Sequence, residues 1–189
     1  QNIRRYKGVR PQPVTVGYNT PATYHDTRGD VIHRDHNGYG GLHYTDNTGL
    51  NDITETRVSV TKKDIVFEAV TTEALTPATD KNWMLLYLDT DTPNTGWEGF
   101  DYLVSEGQLQ RYDAATQQWQ AIAPVVMDTE ASRLTIRIPR KAIRVKGNAI
   151  ILDFKWADNP TNPSDIISVS TTGDTAPNRR FRYHFQWKR

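Results

Sequence analysis

Four groups of side chains in this sequence have the makings of a site. The run DTDTPNTGWEGFD at 89–101 gathers Asp89, Asp91 and Asp101 around a Gly-bearing turn. Compact loops rich in carboxylates and carbonyls are what Ca²⁺ selects, because it takes six to eight oxygen ligands. The run is not an EF-hand loop: Asn94 replaces the glycine and no Glu closes it. The other reading is an Asx-rich hairpin loop whose carboxylates accept backbone N–H bonds. A second group is His33, Asp35 and His36, with His25 and His43 nearby. Its donors suit zinc or copper, but the spacing matches no established metal signature, and hydrogen bonding is the simpler role.

Third, Asp26, Asp30, Asp35, Asp46 and Asp52 offer a carboxylate pair for glycoside hydrolysis, which needs one carboxyl protonated and the other ionised. A glycan-active enzyme using His36 with Asp35 or Asp52 is therefore one reading to test. The nucleophile elbow, the phosphate-binding loop and the dinucleotide fingerprint are all absent from the sequence. Without cysteine, disulfides, thiolate nucleophiles and thiolate-bound metals are excluded together.

The fourth group is aromatic. Five tryptophans, Trp83, Trp97, Trp119, Trp156 and Trp187, are joined by Tyr39, Tyr44, Tyr87 and Tyr102. Flat rings stack on the C–H faces of sugars, while Asp, Asn, Arg and His meet the hydroxyls. The same rings are also the largest core fillers. Alternation puts Trp83 and Trp187 in the core. Trp97 and Trp156 adjoin turn residues and are expected to be exposed.

The elements that must hold these groups are strands. Leu134, Ile136 and Ile138 alternate with Arg133, Thr135 and Arg137, and Tyr183, Phe185 and Trp187 alternate with Arg182, His184 and Gln186. NWMLLYLDT (82–90) and NAIILDFKW (148–156) are apolar on both faces, as central strands are. TRVSV and DIVFEAVTT flank a turn at 61–64, and GQLQRYD is followed by QWQAIAP across another. Only PRKAIRV (139–145) suggests a helical turn. The spacing predicts an all-β protein: an antiparallel β-sandwich with little helix. Residues 1–22 carry three prolines and little apolar mass, and are expected to form a linker or arm ahead of a domain over 23–189. Residues 24–53, dense in Asp, His, Gly and Asn, cannot build core and are expected to line a site.

The charge balance, 23 Lys and Arg against 22 Asp and Glu, is interspersed over the chain and argues against nucleic acid, which selects a basic stripe. No stretch approaches the ~20 apolar residues of a membrane-spanning helix.

NWMLLYLDTDTPNTGWEGFDYLV, then ILDFKWADN and GDTAPNRRFRYHF, resembles the family 9 carbohydrate-binding-module-like domains, in the broad group of DOMON-type β-sandwiches. RRYKGVRP and HRDHNGYGGLHYTDNTGLND also occur in similar sequences, so the likeness covers nearly the whole chain. Tyr39 and Leu50 depart from the Trp and Arg frequent at those places. The resemblance implies a jelly-roll-like sandwich, a candidate structural calcium held by Asp89, Asp91 and Asp101, and sugar clamped between aromatic rings. Some DOMON relatives bind haem through Met and His, but here Met84 and Met127 read as buried.

The expected function is that of a non-catalytic carbohydrate-binding module, accessory to a catalytic domain of an exported bacterial glycan-degrading enzyme. It would be secreted, periplasmic or displayed on the cell surface. Trp97, Trp156, Tyr39 and Tyr44 would stack on a poly- or oligosaccharide, and Asp35, His36, Asn51 and Asp52 would read its hydroxyls. The alternative is a structural accessory domain that packs on its catalytic partner and binds no free sugar.

Overall fold

The computed structural model describes residues 14–26, 28, 34–37, 41, 43–46, 51–80, 82–90, 96–178 and 180–189. Strands β1 (Thr15–Val16), β2 (Ala22–His25), β3 (Arg34–Asn37) and β4 (His43–Asp46) precede the long hairpin β5 (Ile53–Val60) and β6 (Asp64–Thr71). Then come β7 (Leu85–Asp89), β8 (Tyr102–Ser105), β9 (Gln108–Asp113), β10 (Gln118–Pro124), β11 (Val126–Glu130) and β12 (Arg133–Pro139). The chain closes with β13 (Ala149–Asp158), helix α1 (Ile166–Thr171), β14 (Asp174–Ala176) and β15 (Tyr183–Lys188).

These strands form an all-β sandwich, as the sequence pattern predicts. The larger sheet has the order β1-β15-β13-β7-β8-β9-β10, with β14 also paired to β13, and the smaller has the order β11-β12-β6-β5-β2. Pairing is antiparallel throughout both, except where β1 runs parallel to β15. The hairpin β3–β4 stands apart as its own two-stranded sheet.

Alternation decides what fills the space between the sheets. Leu134, Ile136 and Ile138 from β12 and Ile65, Phe67 and Ala69 from β6 are fully buried, facing Leu152, Phe154, Phe185 and Trp187 of the larger sheet. Phe67 meets Phe154 edge-on at 5.6 Å between ring centroids, and Tyr24 meets Tyr183 at 4.8 Å. Strands β7 and β13 lie centrally in the larger sheet, as their two-sided apolarity requires. The turn at 61–64 is closed by Thr61 N–H to the Asp64 carbonyl at 2.9 Å and by Asp64 N–H to Thr61 Oγ1 at 2.8 Å. Met84 is buried as expected, whereas Met127, on the edge strand β11, is only half-buried against the core.

Three local expectations are corrected. PRKAIRV makes a turn, with Ala142 N–H donating to the Pro139 carbonyl at 2.9 Å, and no helix. The helix is α1, six residues rich in β-branched side chains and capped by Asp165, whose carboxylate accepts from Ile167 N–H at 3.0 Å. Such a short, poorly helix-favouring run gives no readable period. Residues 14–22, expected at the end of an arm, are woven into this domain: Trp187 donates to the Gly17 carbonyl at 2.7 Å and Tyr18 packs on the Trp187 ring.

One buried carboxylate ties three segments together. Asp158, 1% exposed at the end of β13, accepts from Met84 N–H at 3.0 Å and from both the backbone and the side-chain N–H of Asn51 at 3.1 Å. Burial outweighs these donors and, with the charge of Asp80 adding to it, raises the Asp158 carboxyl to about 6. The folded protein then holds this proton over a range where the unfolded chain has released it, so the group lowers stability as pH rises through that range. We predict a higher urea midpoint at about pH 5 than at about pH 7.5, with Asp158 supplying roughly 1.4 kcal/mol of the difference. Asp158→Asn should shrink that difference; an unchanged pH profile in the variant would refute the assignment.

Candidate functional site

The outward face of the larger sheet carries the chemistry. In register across it lie Lys155, Tyr87, Leu103 and Gln110, beside a second row of His184, Asp153 and Asp89. Such a face on a sandwich is ordinarily wet, yet this one is roofed. Phe100, from the loop ahead of β8, and Val169, from α1, close over Leu85, Tyr87, Leu103 and Ala157, with Trp97 and Trp119 packed half-buried at the margin.

Charges under the roof are paired. Arg182 lies with its guanidinium 3.8 Å over the Phe100 ring, donates to Asp89 at 2.8 Å, and also donates to the carbonyl of Glu98. Asp153 bonds His184 Nδ1 at 2.6 Å, and buried Lys155 donates to the Pro177 carbonyl at 2.5 Å. Arg182 thus grips the loop that presents Trp97 by its main chain.

That loop is a tight turn. Trp97 and Phe100 exchange both backbone hydrogen bonds, at 2.9 and 2.8 Å, with Glu98 and Gly99 at positive φ. Gly96, at φ +84, precedes it, and a Cβ there would lie 2.2 Å from the Phe100 carbonyl oxygen, so only glycine fits.

Trp97 stacks on Tyr87 at 5.4 Å with an interplanar angle of 25°, and Trp119 stands edge-on to Trp97 at 6.2 Å. Tyr112 backs Trp119 from across the β9–β10 pair, at 5.2 Å. Tyr87 donates its hydroxyl to the Pro163 carbonyl at 3.0 Å, and its burial pushes the phenol pKa up. The result is a ledge of partly exposed rings on rigid supports.

Beside the ledge opens a cleft of about 740 Å³, between Thr90, Gly96 and Asp101, the β9–β10 hairpin and the 140–145 turn. Tyr112 is common to cleft and ledge, and a bulge in β10 between Ala121 and Ala123 accompanies the exposed Ile122 of the cleft wall. Asp113 accepts from Ala115 N–H at 2.9 Å and from Gln120 at 3.0 Å. These hydrogen bonds, the Ala115 N–H foremost, hold its carboxyl below the ordinary range, so it is a fixed acceptor rather than a proton donor.

The expected site residues whose side chains are described, Trp97, Trp156, Asn51 and Asp52, do not converge. Trp97 is at the ledge, but Trp156 is wholly buried between the sheets, because β13 continues to Asp158 and the alternation of Ile150, Leu152 and Phe154 carries its ring inward. Asn51 and Asp52 are buried too. Asn51 is spent on Asp158 and Thr76, and Asp52 accepts from Thr72 Oγ1 at 2.5 Å, so neither is placed to read a sugar hydroxyl. Asp35, His36 and Tyr44 fall on the β3–β4 hairpin, with His36 opposite Tyr44 in register and β4 beside α1. Tyr39 and His33 lie outside the described residues.

Of the expected calcium ligands, Asp89 pairs with the buried guanidinium of Arg182, and Asp101 accepts from the Thr90 backbone N–H at 2.9 Å and from its hydroxyl. Asp91 lies outside the described residues. No three His, Asp or Glu side chains converge among the described residues.

Trp119 belongs to the aromatic group of the sequence but is not among the expected site residues, and neither are Tyr112 and Arg182. The first two stand symmetrically about the 113–118 turn, which was a readable signal for a cross-strand ring pair. Arg182 gave none, since its alternation reads as a solvent face.

Fold and site together define an all-β sandwich with an aromatic ledge and an adjoining cleft on its larger sheet. No family model matches this chain, and no curated protein matches its sequence.

Removing the Arg182 head group would strand Asp89 in a site where it is 4% exposed. We predict that Arg182→Leu costs about 3–5 kcal/mol in urea unfolding, as broken buried ion pairs do. Pairing it with Asp89→Leu should recover part of that loss; an additive double variant would sink the pairing argument.

Proposed function

We propose that this chain is a non-catalytic carbohydrate-binding module, of the kind its resemblance to family 9 modules suggests, serving an exported bacterial glycan-degrading enzyme. The observation that carries the reading is the ledge: Trp97 and Trp119, half-buried and braced by Tyr87 and Tyr112, bordering a cleft with fixed polar groups. A ring already held in place loses little freedom when a sugar settles on it, so more of the stacking energy reaches affinity. Stacking on bases is worth ~1–3 kcal/mol per ring. Two such contacts with a few hydrogen bonds give affinities on the order of micromolar, sufficient for a module tethered beside its enzyme. Asp113, ionised and fixed, would accept from hydroxyls, and the exposed Gln120 amide can give or take a bond.

A second reading has its own observation. Val16 and Ile151, 63% and 64% exposed, lie on the outward face at the opposite side of the same sheet. They would favour a structural accessory domain packed on its catalytic neighbour by that region.

Native affinity electrophoresis against plant, algal and host polysaccharides separates the two. We predict retardation by at least one of them, lost in Trp97→Ala and in Trp119→Ala while both variants keep the parent's circular dichroism. Trp156→Ala should instead lower the melting temperature, as deleting a core ring does, by about 3–5 kcal/mol of stability. Absence of retardation, and of binding to short oligosaccharides by calorimetry, would overturn the carbohydrate reading.

A further inference from the structure

The cleft contains charges of both signs, but they are not equally available. Its two carboxylates already have internal donors, Asp101 in Thr90 and Asp113 in Ala115 and Gln120, with lone pairs of Asp113 left for a sugar hydroxyl. Its two guanidiniums have no internal partner among the described residues. Arg111 projects from β9 and Arg144 from the 140–145 turn, where its φ of 59 marks a left-handed backbone. Both are exposed, and neither guanidinium makes a hydrogen bond or ion pair with a described residue, although carboxylates share the cleft. By contrast, Arg57, Arg133, Arg180 and Arg182 each have an acidic partner. Apolar surface accompanies the free arginines, with Tyr112 and Ile122 in the wall and Ile143 beneath.

A guanidinium presents a planar fork of N–H donors that fits two oxygens of one anion, and it binds carboxylate or sulfate more tightly than a neutral hydroxyl. A neutral glycan would leave both forks without a matching charge. We infer that the cleft takes an acidic saccharide, whose uronate carboxylate or sulfate ester meets Arg111 and Arg144 while a neighbouring ring of the same chain lies on the Trp97–Trp119 ledge. This rests on the carbohydrate reading above and adds to it the charge class of the ligand.

The test is titration of the whole chain with polygalacturonate, dextran sulfate, neutral xylan, neutral mixed-linkage glucan and polyglutamate, with short oligosaccharides of each glycan alongside. The variants are Arg111→Gln, Arg144→Gln and Trp119→Ala, with Arg133→Gln on the other sheet as the charge control. Binding to polygalacturonate or dextran sulfate is expected, whichever of the two identifying carboxylate or sulfate as the anion. Each cleft arginine variant should weaken it about tenfold or more, the loss expected when a charge-assisted hydrogen bond is removed. Arg133→Gln should leave it unchanged, and Trp119→Ala should weaken it as well.

Neutral glycans bound as tightly as acidic ones, with no effect of Arg111→Gln or Arg144→Gln, would overturn the inference and leave the carbohydrate reading intact. Polyglutamate bound as tightly as the acidic glycans, with no effect of Trp119→Ala, would overturn it by showing an anion site indifferent to sugar. No binding to any glycan, polymer or oligosaccharide, would overturn both.

Discussion

The guanidinium of Arg182 is the fixed point from which the outward face of the larger sheet is organised. It is buried, so it must be neutralised, and Asp89 on β7 does that at 2.8 Å. Its remaining donors reach main-chain carbonyls of the 96–100 turn, and its flat face rests on Phe100. A charge that would otherwise cost several kcal/mol to bury thereby fastens a loop to a sheet. The loop carries Phe100 as the roof of the secondary core and Trp97 as the rim. If that guanidinium were free to turn toward water, the roof would lose its anchor and the ring its angle.

From this anchor the two halves of the site acquire different characters. The ledge is made of side chains that support one another: Tyr87 under Trp97, Tyr112 behind Trp119, and the Pro163 carbonyl taking the Tyr87 hydroxyl. The cleft is shaped by backbone instead, by a bulge in β10 and a left-handed residue at Arg144. Carboxylates held by hydrogen bonds of their own loops sit next to two arginines with no acidic partner among the described residues, so the cleft's formal charges cancel while its guanidinium forks stay open to a ligand. Stacking is then offered on one side of the β9–β10 hairpin and charge pairing on the other, with Tyr112 common to both.

How legible this was from the sequence depended on the range of the interaction involved. Leu134, Ile136 and Ile138 announce their strand through a period of two, and the double-faced runs of β7 and β13 mark the centre of a sheet before any neighbour is known. Those are properties of a few consecutive residues. Trp156 lies beyond the reach of local pattern: it adjoins a polar stretch, and only the continuation of β13 to Asp158 reveals that it points inward. Asn51, Asp52 and Asp89 look like ligand-binding residues because their chemistry is polar, yet each is consumed by an internal partner far away in the chain, Asp158 and Arg182 among them. A composition rich in Asp and Asn reports that many hydrogen bonds exist, not whether they face a ligand or hold a loop. Tyr112 and Trp119 are the opposite case, since their symmetric distance from a turn made their contact predictable.

The parallel pairing of β1 with β15 has a geometric corollary. It brings residue 15 alongside residue 187 at one margin of the larger sheet, six strand steps from β10 at the other. Steps of about 4.8 Å separate the margins by roughly 29 Å. The usual twist of 20–25° between neighbours accumulates over the same span to roughly 120–150°. With five of the six pairings antiparallel, that twist leaves the chain direction of β10 inclined by roughly 30–60° to that of β1. Mechanical load entering at the β1–β15 margin would pass first through the short ladder to β15 and the Trp187–Gly17 bond, and the ring-bearing hairpin on the far margin would be the last part of the sheet to feel it.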